Sequence, residues 1–361
     1  MIIESLKLKN FRNYILLALH PGPGINIFYG DNAQGKTNIL EAIYLAGTTK
    51  SHRSAKDREM INFKDDEAHI EMGLRKKGLP FCIDMHLKKT SPKGIALNKV
   101  PIRKASELFG HVQMVFFSPE DLNIIKDGPA LRRRFIDAEL SQLDPIYLKD
   151  LADYQKVLNQ RNRLLKEIPF KPELKDTLPI WDEQLCHYGD RVIKRREDFI
   201  RELNAILPDI HRRLTSDEEN IHLTYEKNTR HHTMKTCLDL NRERDLRMRS
   251  TQGGPQRDDM GFFADDMDIR TYGSQGQQRT AALSLKLSEI ELIRKTVHEE
   301  PILLLDDVLS ELDKKRQNAL LDSITSLQTF ITCTGLDEFV GYRSKNDKVF
   351  YVADGTVTGK N

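Results

Sequence analysis

Residues 30–37 read GDNAQGKT and fit the pattern G-x-x-x-x-G-K-[ST] in the context that gives the pattern a mechanism. An apolar run, Ile25–Tyr29, precedes the loop. A helical pattern follows over residues 37–47, with Ile39, Leu40, Ile43 and Tyr44 apolar. Gly30 and Gly35 let backbone N–H groups curl around phosphate oxygens, with Asp31, Asn32, Ala33 and Gln34 forming the loop between them. The helix starting near Lys36 adds the positive end of its dipole. Lys36 is expected to reach the β- and γ-phosphates of ATP, and the Thr37 hydroxyl to ligate Mg²⁺.

A second signal is ILLLDD at residues 302–307. A continuous apolar run marks a strand buried on both faces, and two carboxylates at its end would lie where the loop's metal sits. Asp306 fits the Walker B role of holding Mg²⁺, directly or through water, and Asp307 then stands where an attacking water is polarised. A third signal is YGSQGQQ at residues 272–278, about thirty residues earlier and opening a helix. It resembles the L-S-G-G-Q signature of ATP-binding-cassette proteins: Ser274 and Gly276 match, Gln277 follows them, and Gln275 replaces the first glycine. In that family the motif binds the γ-phosphate held by the opposite subunit. A serine hydroxyl with N–H groups at a helix start is an anion site, and it is equally an ordinary helix cap. The order of loop, signature and acidic strand favours the first reading. Ser310 and Asp313 resemble the D-loop. No histidine stands at the switch position, where Thr332 or Thr334 could touch the γ-phosphate or cap the strand. Gln113 is a candidate for the Q-loop glutamine.

The rest of the chain alternates in character. Residues 2–8, 81–87 and 112–117 read as strands. From residue 131 to about 206 the sequence is charged and helical. One apolar stripe runs through Tyr147, Leu151, Tyr154, Leu158, Leu165 and Ile168. Another runs through Trp181, Leu185, Tyr188, Val192, Phe199, Leu203 and Ile206. Pro169, Pro172 and Pro179 interrupt the region between them, so the two helices are expected to fold back antiparallel. Strand character returns over residues 221–225, 302–305, 330–332 and 349–352, with a helix over 281–294. The expected fold class is α/β: an ATP-binding-cassette-type P-loop ATPase head carrying an inserted, mostly helical antiparallel arm. Its parts are residues 1–120, the insertion 121–220, and residues 221–361 with the signature and Walker B.

The opening KLKNFRNY at residues 7–14 resembles the N-F-R start of SMC-type DNA repair ATPases, in which the arginine sits beside the nucleotide, so Arg12 is a candidate ligand. SPEDL at 118–122, GP at 128–129, RRRFID at 132–137 and GPQRDD at 254–259, together with GSQGQQR, resemble the RecF family of bacterial recombination mediators from residue 1 to about 352. Gln256 stands where that family usually has histidine, and Asp127 where it usually has glycine. The resemblance implies a homodimer that closes on ATP and binds double-stranded and gapped DNA. It also implies that, with RecO and RecR, the dimer helps load RecA. Hydrolysis would be weak, DNA-stimulated and would serve to reset the switch.

The formal net charge is only +2, so any basic footprint for nucleic acid has to be local. Arg53, the pair Lys56 and Arg58, and the run Arg132, Arg133 and Arg134 are the candidates for phosphate contacts, the last run being equally readable as an ion-pair cluster. Four scattered cysteines read as reduced thiols, and no run approaches the roughly 20 apolar residues of a membrane span, so a cytoplasmic protein without a membrane partner is expected. The competing readings are the nucleotide-binding subunit of a transporter and a clamp that uses ATP only as glue. The missing switch histidine and the N-F-R opening speak against the first. The paired carboxylates speak against the second.

Overall fold

The computed structural model describes residues 1–53, 56–215, 219–230, 232–336 and 346–360. The chain divides into two compact units, Met1–Asp121 with Glu289–Asn361, and Leu122–Ser288. The first opens with β1 (Ile2–Phe11), β2 (Tyr14–Leu19), β3 (Ile25–Tyr29) and α1 (Lys36–Thr48). It continues with β4 (Glu67–Lys76), β5 (Leu79–Lys88), β6 (Gly94–Leu97), β7 (Val100–Pro101) and β8 (Met114–Phe117). The second holds α2 (Pro129–Leu143), α3 (Pro145–Glu167), α4 (Leu178–Asn204), α5 (Leu207–Thr215), β9 (Ile221–Glu226), α6 (Met234–Met248), β10 (Asp259–Ala264), β11 (Met267–Asp268) and α7 (Ile269–Tyr272). Helix α8 (Gln275–Val297) begins in the second unit and ends in the first. There β12 (Ile302–Asp306), α9 (Lys314–Ser323), β13 (Thr329–Cys333), β14 (Lys348–Ala353) and β15 (Thr356–Lys360) complete the fold.

Two six-stranded sheets make the first unit. One has the order β15-β14-β3-β13-β12-β8, parallel except for the edge strand β15. The other, β2-β1-β4-β5-β6-β7, is antiparallel throughout. Its strand β4 buries Ala68, Ile70, Met72 and Leu74 in strict alternation, which marks a sheet with one covered face. Helix α1 packs on strands of both sheets, so it is enclosed on nearly every side. That explains a helix on which Ala42, Leu45 and Ala46 are buried as fully as Ile39, Leu40 and Ile43. It also buries Glu41, a carboxylate with no place in an apolar stripe.

The second unit is larger than the expected insertion 121–220, running on to Ser288. The strand expected at residues 221–225 is there as β9, but it pairs with β10 in a separate three-stranded sheet, β11-β10-β9. The signature motif therefore falls in the second unit and both Walker motifs in the first. Helices α3 and α4 pack antiparallel, as three ion pairs in reversed register record: Asp144 with Arg195, Asp150 with Arg191 and Asp182 with Arg161. Pro179 does not break a helix. It stands in the first turn of α4, where no N–H is needed, just as Pro129 and Pro145 open α2 and α3. The seam on α3 runs through Tyr147, Asp150, Tyr154, Val157, Arg161 and Leu165, while Leu151 and Leu158 are only half-buried.

Polar side chains thus do much of the joining. Arg161 is fully buried: Nε donates to Asp182 at 2.6 Å, and one terminal nitrogen donates to Asp245 at 2.7 Å and to Thr251 at 2.9 Å. Its removal leaves the buried Asp245 without its cation and Asp182 with Arg242 at 3.2 Å, which is costly, so Arg161→Ala is expected to destabilise the chain by about 3–5 kcal/mol. Leu185→Ala, on the facing helix and fully buried, should cost about 2–5 kcal/mol. Half-buried Leu151→Ala should cost less than either. Chemical unfolding of the three variants checks the order, and an Arg161→Ala protein as stable as the parent would refute the ionic seam.

Candidate functional site

The parallel sheet delivers its strand ends to one edge. In register, Thr332 of β13 lies between Asp306 of β12 and Phe28 of β3, so the end of the Walker B strand and the start of the phosphate loop are two strands apart. Ligand sites of open α/β sheets form at this carboxyl edge. Thr37 Oγ1 and Thr332 Oγ1 both donate to Asp306 Oδ1, at 2.8 and 2.7 Å. Thr332 also accepts the Asp307 amide on its hydroxyl at 2.9 Å, and Asp307 itself is held at a left-handed φ of 53°. Ser310 donates to the Asp307 carbonyl at 2.8 Å, tying the D-loop to the same point. Thr332 is buried and holds the Asp306 carboxylate and the Asp307 backbone amide, a positioning role, whereas Thr334 is exposed. A non-glycine residue in the left-handed region costs free energy and persists only where its surroundings hold it.

Lys36 is nearly buried, its Nζ donating to the carbonyls of Gly30 at 2.6 Å and Asp31 at 2.8 Å. Burial lowers its pKa, and the nearby charge of Asp307 opposes the shift. Helix α1 has no side-chain cap at its start, so its first N–H groups are offered to a ligand rather than to the chain. The glycines have a second purpose that the pattern alone does not reveal. A Cβ on Gly30 would lie 2.3 Å from the Val352 carbonyl oxygen, and one on Gly35 would lie 2.4 Å from the Asn13 side chain. Both take left-handed φ values, 150° and 108°.

The loop is gripped from two sides by residues the sequence reading did not single out. Asn13 Nδ2 donates to the Gln34 carbonyl at 2.9 Å and Tyr14 OH to that of Gly35 at 3.1 Å. From the β14–β15 turn, the Asp354 amide donates to Gln34 Oε1 at 2.7 Å. Arg12 lies in the same turn as Asn13, but its guanidinium is engaged by Glu41 at 2.7 and 2.8 Å and by the Glu59 carbonyl at 2.6 Å. Asp31, Asn32 and Ala33 are exposed at the rim of the loop.

At the start of α8, Ser274 and Gln277 form a reciprocal cap. The Gln277 amide donates to Ser274 Oγ at 3.2 Å and the Ser274 amide to Gln277 Oε1 at 2.8 Å. Ser274, Gln275 and Gly276 are exposed, and a Cβ on Gly276 would meet nothing closer than 3.9 Å, so the chain itself gives no steric reason for a glycine there.

Two readings need correction. Gln113 precedes β8, and its carbonyl accepts the amide of Ile302, the first residue of β12. It therefore sits a strand's length from Asp306, at the opposite edge of the sheet, where a Q-loop role is geometrically closed. Its amide donates to the Gly110 carbonyl at 2.9 Å. Arg132 is buried, bidentate to Asp259 at 2.6 and 2.9 Å and bonded to the carbonyls of Ile124 and Ile125, so it is a structural cation rather than a phosphate contact. Arg133 donates to the Asp258 carbonyl at 2.7 Å. Of the three only Arg134 is exposed, like Arg53, Lys56 and Arg58. The two departures are accounted for in the same network. Gln256 accepts from Tyr154 OH and donates to the Gly253 carbonyl, and Asp127 contributes its backbone to the Arg132 cradle.

Comparison with known proteins agrees with this geometry. The family described as RecF/RecN/SMC N terminal domain matches residues 2–358. The DNA replication and repair protein RecF of Agathobacter rectalis is 59% identical over 99% of both chains, and that of Lachnospira eligens is 55% identical over 100% of both. A solved structure of the recombination mediator protein RecF with ATP, in the RecFOR pathway, superimposes with a TM-score of 0.93 at 36% identity, covering 100% of this chain and 98% of that one. An Smc head bound to the C-winged helix domain of ScpA aligns with a TM-score of 0.57 at 16% identity over 100% and 98% of the two chains, a likeness of fold.

Burial raises the Asp306 carboxyl above the usual carboxylate range, and the hydrogen bonds from Thr332 and Thr37 only partly offset it. The folded chain therefore binds this proton more readily than the unfolded one. The charged form costs stability above the folded pKa, and the cost fades as pH falls through it. Asp306→Asn should accordingly stabilise the nucleotide-free protein at neutral pH by more than about 0.5 kcal/mol, with the gain shrinking in acid. Urea unfolding of both proteins across pH checks this. A difference that does not vary with pH would mean that the carboxylate carries no electrostatic penalty.

Proposed function

This chain belongs to the RecF/RecN/SMC N terminal domain family and is an ATP-binding repair and recombination protein within it, and we propose that it works as an ATP-gated dimeric clamp on duplex and gapped DNA. The observation that carries the reading is the meeting of Thr37 and Thr332 on one oxygen of Asp306, beside a buried Lys36. Thr37 and Asp306 are close enough to share one cation, and the donor set, a hydroxyl and a carboxylate, suits Mg²⁺. Mg²⁺ bound there supplies positive charge to the phosphate oxygens.

The chain's own residues then divide the work. Lys36 exchanges the carbonyls of Gly30 and Asp31 for phosphate oxygens, and the N–H groups of residues 30–37 cradle the same phosphates. Asp307 accepts a proton from the attacking water. Its carboxyl is raised by burial, and its position is fixed by Thr332 and Ser310. Ser274, Gly276 and Gln277 complete the γ-phosphate site of a second copy, which gives the exposed and sterically unrequired Gly276 a purpose: close approach of backbone to phosphate. Asp307 is one methylene shorter than glutamate, so turnover should be slow, below the roughly 10 s⁻¹ median for enzymes, and stimulated by DNA. Closure places Arg53, Lys56, Arg58 and Arg134 against DNA phosphates. In the cytoplasm, with RecO and RecR, the clamp promotes RecA loading at gaps. A transporter subunit is disfavoured by the family and by the missing switch histidine.

Three variants separate the roles. Lys36→Ala should lose ATP binding and dimerisation together. Ser274→Arg should bind ATP as a monomer, because the signature acts only across the interface. Asp307→Asn should dimerise and stay dimeric after ATP is diluted away. Sizing with ATP, with ADP and with neither reads all three, and an ATP-dependent dimer of Ser274→Arg would end the composite-site model. DNA binding should require ATP, ignore sequence and weaken steeply with salt. Equal DNA affinity with ATP and ADP would exclude a switch.

A further inference from the structure

The buried carboxylate of Glu41 joins two segments that the function assigned above uses separately. Its Oε2 accepts from Arg12 Nε at 2.8 Å, and its Oε1 accepts from Arg12 at 2.7 Å and from Ser51 Oγ at 2.5 Å. The Ser51 hydroxyl in turn accepts the backbone amide of Arg53 at 3.0 Å. Beyond the exposed cations Arg53, Lys56 and Arg58, the chain returns to the same arginine: Arg12 donates its guanidinium to the Glu59 carbonyl at 2.6 Å and its amide to the Met60 carbonyl at 2.8 Å. Both ends of the cationic segment are therefore fastened to Arg12, one directly and one through Glu41 and Ser51. Arg12 is flanked by Asn13 and Tyr14, whose side chains hold the carbonyls of Gln34 and Gly35.

Two details fit a transmitting rather than a passive contact. Arg12 is held at a left-handed φ of 53°, a strained position for a non-glycine residue. His52, next to Ser51, lies on the Phe116 ring at 3.9 Å between centroids, and burial pushes its pKa down to about 4. It is therefore neutral and leaves Glu41 to Arg12 and Ser51.

We propose that Glu41 is a coupling residue, through which phosphate in the P-loop and DNA phosphate at the Arg53, Lys56 and Arg58 segment sense each other. The proposal rests on the clamp reading above and adds the route by which the two ligands communicate. A phosphate beside the Asn13–Tyr14 turn is a second anion for the Arg12 guanidinium. As Arg12 shifts toward it, Glu41 depends more on Ser51 and the Glu59 end of the segment is released. The same chain of bonds works in reverse when DNA draws on Arg53.

The test compares wild type, Ser51→Ala, Ser51→Thr and Glu41→Gln as full chains, measuring affinity for a short blunt duplex with ATP and with ADP. In wild type the ATP-to-ADP ratio of DNA affinities should be about tenfold or more, within the usual range of allosteric couplings. Ser51→Ala, which changes no residue assigned to either ligand, should keep ATP affinity without DNA within about twofold of wild type, while the ratio collapses to within about twofold of one. Ser51→Thr keeps the hydroxyl and should restore the ratio. Glu41→Gln should lose ATP affinity and coupling together. By reciprocity, the effect of DNA on the preference for ATP over ADP must change by the same factor, and rescue by Ser51→Thr separates the hydroxyl from mere packing. A wild-type ratio retained in Ser51→Ala overturns the proposal and leaves the clamp standing. A wild-type protein that binds DNA equally with both nucleotides overturns the clamp, and this proposal with it.

Discussion

The enclosure of α1 between two sheets is the constraint on which the rest of the first unit depends. A helix covered on one face needs only an apolar stripe, but one covered on nearly every side must satisfy every polar group it carries. Glu41 is such a group, and its answer is a bidentate arginine and a serine drawn from two other segments. The same enclosure fixes where α1 begins, and so where Lys36 and Thr37 stand against β12 and β13. The P-loop is accordingly less a loop than a junction, held by Asn13 and Tyr14 on one side and by the β14–β15 turn on the other.

The second unit solves its packing differently. Its core contains arginines that are nearly or fully buried. Arg196 bonds Asp137 at 2.7 Å, Tyr147 at 3.0 Å and the Pro255 carbonyl at 2.8 Å. Arg132 bonds Asp259, and Arg161 bonds Asp182 and Asp245. Buried ion pairs of this kind add little net stability compared with apolar packing, but breaking one is expensive. They also demand one geometry, since a guanidinium fork fits its carboxylates in few ways. The sequence blocks RRRFID and GPQRDD, which resemble family features, meet in this lattice, Arg132 bonding Asp259, Arg133 bonding the Asp258 carbonyl, and Arg196 bonding both blocks. The run Arg132–Arg134, equally readable from sequence as phosphate contacts or as an ion-pair cluster, is largely the second.

Left-handed φ values occur at turns in many parts of the described chain, and the phosphate site is one of them. Arg12, Ala33 and Asp307 all take left-handed φ values, each within a residue or two of a group that touches the phosphate loop or the Walker carboxylates. Hydrogen bonds hold two of these conformations: Arg12 donates its amide to the Met60 carbonyl, and Asp307 has its amide tied to both oxygens of Thr332. Strain maintained this way keeps a site in place before its ligand arrives.

By itself the sequence determined the features that depend on local order. A glycine loop between a strand and a helix, a buried strand ending in carboxylates, and a serine opening a helix each carry their mechanism within a few residues. All three have the local form expected of them, although the serine falls in the second unit and not in the ATPase part with the Walker motifs. Antiparallel folding of α3 and α4 was legible for the same reason, from periodicity and proline. Only tertiary structure decided the rest, because burial and partnership belong to pairs of residues far apart in the chain. It made Thr332 a grip on Asp306 by setting β13 beside β12, and it put Gln113 at the wrong end of β8 for a Q-loop. It extended the second unit to Ser288, because β9 finds its partner in β10 rather than in the ATPase sheet. Glu41 and Arg12 are separated by 29 residues. A charged residue on an apolar helix reads as a solvent-facing position until two sheets close over it, and no local pattern announces that closure.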